Sequence, residues 1–343
     1  MKRIIETLSA GFEVIARRPW IILLPILLDL FYWLGPQISL QPLVERGLEG
    51  MLSLAQPDNP AWAEAWELWQ EMDVERLWRD FGQRFNLFTV VSSLNVLSFL
   101  SMGLLDLPSL IASNGLLGDV PAGSGRVIQI ASGWPLLGAL VVLVLVGLLV
   151  AVIYHGLIAQ QVREEQINLR YLGRRLGRYW LHVIILACAI ALVLAMIAGP
   201  LVIVLLIAGA LSPFLVQMLT LLGSTLAFWF ALYIMFIPHG ILLGEEPPLR
   251  AWWTSMNIVH KNFWVVLILL ILIRLIRTGL GLVWPIFTGS IPGMLFAIVA
   301  NAFVSAGLAA AGLVFFRDCY ADWREHLAQA LLAQKQAQVD KES

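Results

Sequence analysis

Charge is scarce in this chain. Asp, Glu, Lys and Arg together make up 13% of its 343 residues, against roughly 25% in an ordinary soluble domain. The 22 basic and 23 acidic residues nearly cancel, so there is no basic field to hold a polyanion, and a nucleic-acid binder is excluded. Cysteine is rarer still. Cys188 lies inside an apolar run and Cys319 just after one, which is neither a disulfide framework nor a CxxC site. HExxH, P-loop, GxSxG and strand-borne GxGxxG motifs are missing. The expectation is therefore no cofactor, no metal and no enzyme activity. What the chain has in excess is hydrophobic residues, at 59%, with a mean hydropathy of +0.82. A soluble fold this apolar would lack the polar surface to stay in water, so the fold class is an all-α, polytopic transmembrane helical bundle.

A bilayer core needs about 20 apolar residues in a helix. Runs at 135–160, 180–207, 214–241, 263–287 and 293–316 meet this, and 20–39 does so with one charge, Asp29. The run 20–39 lacks a small-x-small cleavage site, so it reads as a retained membrane segment. That gives six spans, arranged as three in-out-in hairpins. The segment 87–112 is apolar but interrupted by Ser92, Ser93, Asn95, Ser98, Ser101, Asp106 and Pro108. It reads as interfacial or re-entrant rather than as a span. With the N-terminus inside, the cytoplasmic pieces hold 15 basic and 11 acidic residues, while the outer loop 40–134 holds 5 basic and 11 acidic. The short loop 161–179 carries Arg163, Arg170, Arg174, Arg175 and Arg178. The positive-inside rule then places both termini in the cytoplasm.

Three sites along the chain look alike. Arg17-Arg18-Pro19-Trp20 opens the first span, Gly177-Arg178-Tyr179-Trp180 the third, and Lys261-Asn262-Phe263-Trp264 the fifth. Trp suits the headgroup layer and a cation stays with phosphates and water, so Arg17, Arg18, Trp20, Arg178, Trp180, Lys261 and Trp264 read as interfacial anchors. An amphipathic stretch precedes each site. Ile4, Leu8, Phe12 and Ile15 fall at helical spacing before the first, Leu169, Leu172, Leu176 and Tyr179 before the second, and Leu249, Trp253, Met256 and Val259 before the third. These helices are expected along the inner membrane surface. The single membrane domain then divides into hairpin units at 1–160, 161–245 and 246–343 with its tail, the first carrying an outer insertion at 40–134. Within that insertion Trp62, Trp66, Trp69 and Met72 fall at helical spacing, as for an amphipathic helix packed on the outer leaflet or the bundle, or else one that binds a partner. Asn114-Gly115 and 121–125 read as loops.

Ionisable residues inside a membrane are costly and default to functional hypotheses. Asp29 lies nine residues past Trp20, about 13–14 Å deep, and Arg274 ten past Trp264, about 15 Å deep. Arg277, three residues on, shares Arg274's helix face. An Asp29–Arg274 pair between spans one and five would relieve two desolvation penalties together, although Arg277 is an equally placed partner. One reading of this cluster is a structural clamp. The other is a solute or proton pathway, with Asp29 titrating and the arginines holding an anion. His155, His182, His239 and His260 all fall near cytoplasmic span ends, and His326 follows the last span. They suit interfacial positions or helix caps, or a metal if the helices converged. The loop Gly244-Glu245-Glu246-Pro247 is acidic and offers no phosphate cradle.

The stretch Leu249-Arg250-Ala251-Trp252-Trp253-Thr254-Ser255-Met256-Asn257-Ile258-Val259-His260-Lys261-Asn262-Phe263-Trp264 resembles the surface helix of a broad bacterial membrane superfamily. That superfamily includes YciC-like proteins and the membrane domain attached to some glycerophosphodiester phosphodiesterases. Ala251, Ser255, Lys261 and Trp264 fit its pattern. The resemblance implies a six-span, stand-alone membrane domain of bacterial origin, in the inner membrane, and carries no catalytic residues with it. The function expected is a non-enzymatic membrane-organising or accessory protein whose partners are the lipid bilayer and another membrane protein or a second copy. A transporter using Asp29, Arg274 and Arg277 is the first alternative, and a membrane enzyme with a cytoplasmic-side His site the second.

Overall fold

The computed structural model describes residues 2–54, 69–93, 96–114, 126–164 and 167–342. The expected positions Trp62 and Trp66 and the loop 121–125 lie outside them. Within them the chain is almost wholly helical, and five helices are long and apolar enough to cross a membrane: Gly133–Glu164, Leu169–Gly209, Pro213–Leu242, Phe263–Phe287 and Ile291–Glu325. These match five of the six expected runs and mark a multi-pass membrane protein. The sixth, expected at 20–39, is a shorter apolar helix, Pro19–Leu34. It stops at Gly35-Pro36, where proline removes an amide donor and disfavours helix in the residue before it.

Helix α1 (Lys2–Arg17) precedes a 3-10 turn (Pro19–Ile22) and α2 (Leu23–Leu34). Strand β1 (Gln37–Ser39) follows, then α3 (Gln41–Leu54) and α4 (Val74–Arg84). The interrupted segment holds three short helices, α5 (Val90–Ser93), α6 (Val96–Leu100) and α7 (Leu110–Asn114). Strand β2 (Val127–Gln129) leads into α8 (Gly133–Glu164), α9 (Leu169–Leu211), α10 (Pro213–Ile234) and α11 (Ile237–Leu242). The last elements are α12 (Pro248–Lys261), α13 (Phe263–Val283) and α14 (Ile291–Glu342).

Helix α14 is the centre of the bundle. Its membrane window is mostly buried, whereas that of α9 is almost entirely exposed, which suits lipid contact. Small residues let neighbours approach α14 closely. A Cβ on Gly11 would stand 2.5 Å from the Ala311 backbone nitrogen, and one on Gly307 would stand 2.4 Å from Phe12 Cδ1. The apolar stripe of α1, with Ile4 and Ile15 buried, therefore packs on α14. The expected surface helices before the first and third sites are separate elements, broken at Arg18-Pro19 and Asn262. Before the second site, α9 runs unbroken from Leu169 through Trp180.

The motif residues Ala251 and Ser255 have a clear packing role. The break between α10 and α11 frees backbone groups, which need partners inside a membrane. Ser255 Oγ donates to the Tyr233 carbonyl (2.6 Å) and accepts from the Phe236 amide (3.2 Å). Ala251 lets Gly240 approach: a Cβ there would stand 3.0 Å from the Ala251 methyl.

Candidate functional site

The start of the interrupted segment 87–114 and the strand that follows it both lie against β1. Asn86 Oδ1 accepts from the amides of Ile38 (3.1 Å) and Phe88 (3.1 Å), which ties the start of the segment to β1. Strand β2, which follows it, pairs in parallel with β1, Ile38 opposite Ile128. The residues just before the segment and the strand after it therefore both meet residues 37–39, and the described residues between them pack into the bundle around a turn at Met102-Gly103. Their irregular backbone is buried in protein or lines a cavity, the settings in which a membrane interior tolerates it. Leu97, Leu100, Leu104 and Leu105 are wholly or almost wholly buried.

At the tip the backbone turns through Met102 (φ 51°) and Gly103 (φ 86°), a region that glycine adopts freely. Ser101 Oγ donates to the Leu97 carbonyl (2.7 Å) and accepts from the Leu105 amide (2.8 Å), closing the turn. Two spans then clamp it. Arg277 on α13 donates to the Gly103 carbonyl (2.7 Å) and ion-pairs with Asp106. The buried His155 on α8 stands 3.0 Å from the Asp106 carbonyl and 2.8 Å from the Ala151 carbonyl. Both partners are acceptors, so a neutral imidazole satisfies one of them and a protonated ring both. Leu104 also reaches α14, where it and the buried His239 flank Gly312.

The Asp29–Arg274 pair expected from the sequence does not form among the described residues. Asp29 is 1% exposed. Its carboxylate accepts from Ser109 Oγ (2.5 Å) and from the amides of Leu110 (2.9 Å) and Ile111 (3.3 Å). It thus binds the orphan amides at the start of α7, groups that attract negative charge. Depth along two helices could not reveal this, because the acceptor-hungry amides belong to a third segment. Arg277 takes Asp106 as its partner. Arg274 is exposed, but its guanidinium also reaches Gly103.

Beside the tip lies a cavity of about 340 Å³. Ser92, Ser98, Asp106, Ser109, Arg277 and Asn301 are among its walls. The hydroxyl of Ser92 meets that of Tyr32 (2.9 Å). In the sequence these serines and Asp106 show only as interruptions of a span; their density in an apolar run is the available signal.

A second polar cluster ties the α8–α9 connection to the acidic turn before α12. Glu245 accepts from Arg163 (2.6 Å), Tyr171 (2.5 Å) and Tyr179 (3.1 Å), and also pairs with Arg175. Glu246 is buried and accepts from Thr254 (2.9 Å) and Tyr320 (2.9 Å). An acidic turn in the sequence, these glutamates accept from partners more than 60 residues away, Glu246 also from Thr254 eight residues on.

The expected anchors spread over the surface. Arg17, which pairs with Glu13 (2.8 Å), is exposed, as are Arg18, Trp20, Arg178, Lys261 and Trp264, while Trp180 is half-buried and donates to the Leu145 carbonyl (3.3 Å). The histidines divide: His155 and His239 are buried, His182 is half-buried and His260 is exposed. The His326 side chain lies outside the described residues. No group of three or more His, Cys, Asp and Glu side chains is placed to hold a metal among the described residues. No protein-family model, curated protein or solved structure matches this chain.

Proposed function

We propose that this chain is a permease, a membrane protein that holds a small polar solute in the cavity beside its re-entrant hairpin. In this reading it lies in a bacterial inner membrane. Six passes, the first made by the short helix Pro19–Leu34, form three hairpins with both termini cytoplasmic. The basic loop 161–179 supports that orientation. Membership of the YciC-like superfamily, non-enzymatic action and no resident cofactor belong to the same proposal.

One observation carries it. A partly open cavity of about 340 Å³, walled by serines, Asp106, Arg277 and Asn301 together with Leu107, Leu110 and Trp284, sits among apolar helices, in the small part of the ligand-pocket range of roughly 300–1,000 Å³. Polar and ionisable groups at such depth are expensive and mark solute or ion pathways. Interrupted helices at the substrate site are a feature of transporter folds. The test is flux in liposomes containing purified protein, for protons and for panels of neutral and anionic solutes, with Asp29→Asn and Asp106→Asn compared with wild type. Saturable flux above protein-free vesicles, altered by Asp106→Asn, supports the reading. Background flux for every solute removes it.

A second reading, an accessory protein that organises the membrane, draws on one surface. Trp252, Trp253 and Trp264 are exposed beside the exposed Arg250 and Lys261, a basic-aromatic face suited to headgroups. A stable partner that co-purifies through this face, with no flux, would favour it.

A further inference from the structure

The cavity's charged wall specifies more than a polar solute. Arg277 lines the cavity. Its Nη1 is used twice, on the Gly103 carbonyl and on Asp106. Its Nε and Nη2 are buried and have no hydrogen-bond partner among the described residues. These two nitrogens form one edge of the guanidinium, the edge that takes two oxygens of a carboxylate, phosphate or sulfate in parallel. Leaving such donors unsatisfied costs about 1–3 kcal/mol for each buried group, and more when it is charged. The guanidinium of Arg274 reaches the same glycine, Gly103. Among the described residues Arg277 alone pairs with Asp106, with Arg274 near the same turn, while Asp29 lies behind Ser109 with its oxygens engaged by a hydroxyl and two amides.

We infer that the cavity takes an oxoanion, a carboxylate, phosphate or sulfate group, on the Nε–Nη2 edge of Arg277, with Arg274 adding to the local positive charge. Nε and Nη2 are shut off from solvent, so binding requires the arginine stem to turn that edge toward the cavity. The inference rests on the permease reading and names the chemistry of its solute. The same group could arrive on a free solute or on a lipid headgroup, and the experiment separates these sources.

The test places a reporter thiol at Ser98→Cys, on the cavity wall, in a Cys188→Ser, Cys319→Ala background. The protein is held in neutral phosphatidylcholine vesicles and reacted with a hydrophilic thiol reagent. Inorganic phosphate, sulfate, succinate or glycerol is then added. Slower labelling with an oxoanion and not with glycerol is the expected result. Arg277→Lys keeps the charge but loses the fork, and should weaken this protection about 10- to 100-fold, the loss of a charged hydrogen bond of roughly 1.5–3 kcal/mol. Asp106→Asn frees Arg277 from its competitor and should strengthen protection, whereas a merely structural ion pair would give weaker or unchanged protection. Protection without added anion in phosphatidylglycerol vesicles, absent in phosphatidylcholine, assigns the group to a lipid headgroup. Labelling that no oxoanion or anionic lipid slows overturns the inference and leaves a water-filled polar cavity standing. Failure of Ser98→Cys to label at all overturns the cavity reading as well.

Discussion

Replacing Asp29 separates the capping role shown by the structure from the ion pair that helix depth alone suggests. Its carboxylate holds one hydroxyl and two amides, at 2.5, 2.9 and 3.3 Å, on the segment that returns from the hairpin tip. Asp29→Ala leaves all three donors without an acceptor. A net hydrogen bond contributes about 1 kcal/mol, and side-chain bonds in lipid average nearer 0.6 kcal/mol, so the expected loss is about 2–3 kcal/mol. Asp29→Asn keeps one acceptor oxygen and should lose roughly half of that, about 1–1.5 kcal/mol. Arg274→Gln, at an exposed position, should change stability by about 0.5 kcal/mol or less. The assay is reversible unfolding in mixed micelles titrated with a denaturing detergent and followed by tryptophan fluorescence. A double-mutant cycle then decides the partner. Asp29→Ala with Ser109→Ala should couple by about 1 kcal/mol, and Asp29→Ala with Arg274→Gln by less than about 0.5 kcal/mol. A larger coupling to Arg274 than to Ser109 would refute the reasoning.

Other substitutions test the remaining contacts in the same assay. Glu245→Ala removes the shared acceptor of Arg175, Tyr171, Tyr179 and Arg163, leaving Arg163 with Glu164; a loss of about 2–4 kcal/mol is expected, with faster proteolysis of the α8–α9 connection. Gly307→Ala drives a methyl into Phe12, at 2.4 Å from its ring, and should cost about 1–3 kcal/mol by prising α1 from α14, whereas Gly279→Ala, with open space around its Cβ, should be neutral or stabilising. Ser255→Ala leaves the Phe236 amide without its side-chain acceptor and should cost about 1–3 kcal/mol, with Ser255→Thr closer to wild type.

The long apolar helices were legible because hydrocarbon solubility is written residue by residue. Runs such as 135–160 and 263–287 needed no knowledge of neighbours. The interruption of 87–112 was legible too: Ser92, Ser98, Ser101, Asp106 and Pro108 break an apolar run that would otherwise span, and the structure divides the segment into short helices. What that segment touches was not legible. Asp29 and Arg274 have matching depths along their own helices, but depth says nothing about azimuth, and the amides of Leu110 and Ile111 compete for the same carboxylate. The role of Glu245 was hidden for a related reason. Its donors sit on two helices flanking a turn more than 60 residues earlier, and an acidic turn in isolation reads only as charge. Ser255 carried a motif signal without a stated cause; the cause is a helix break 19 residues before it.

The central claim is that residues 87–114 enter and leave the bundle at the same end. Single thiols at Leu77→Cys, Val127→Cys and Arg174→Cys, in the Cys188→Ser, Cys319→Ala background, test it directly with a membrane-impermeant reagent on sealed vesicles of known orientation. The account predicts that positions 77 and 127 react from one side and position 174 from the other. Labelling of 77 and 127 from opposite sides would mean that the segment crosses the membrane, and would contradict the account.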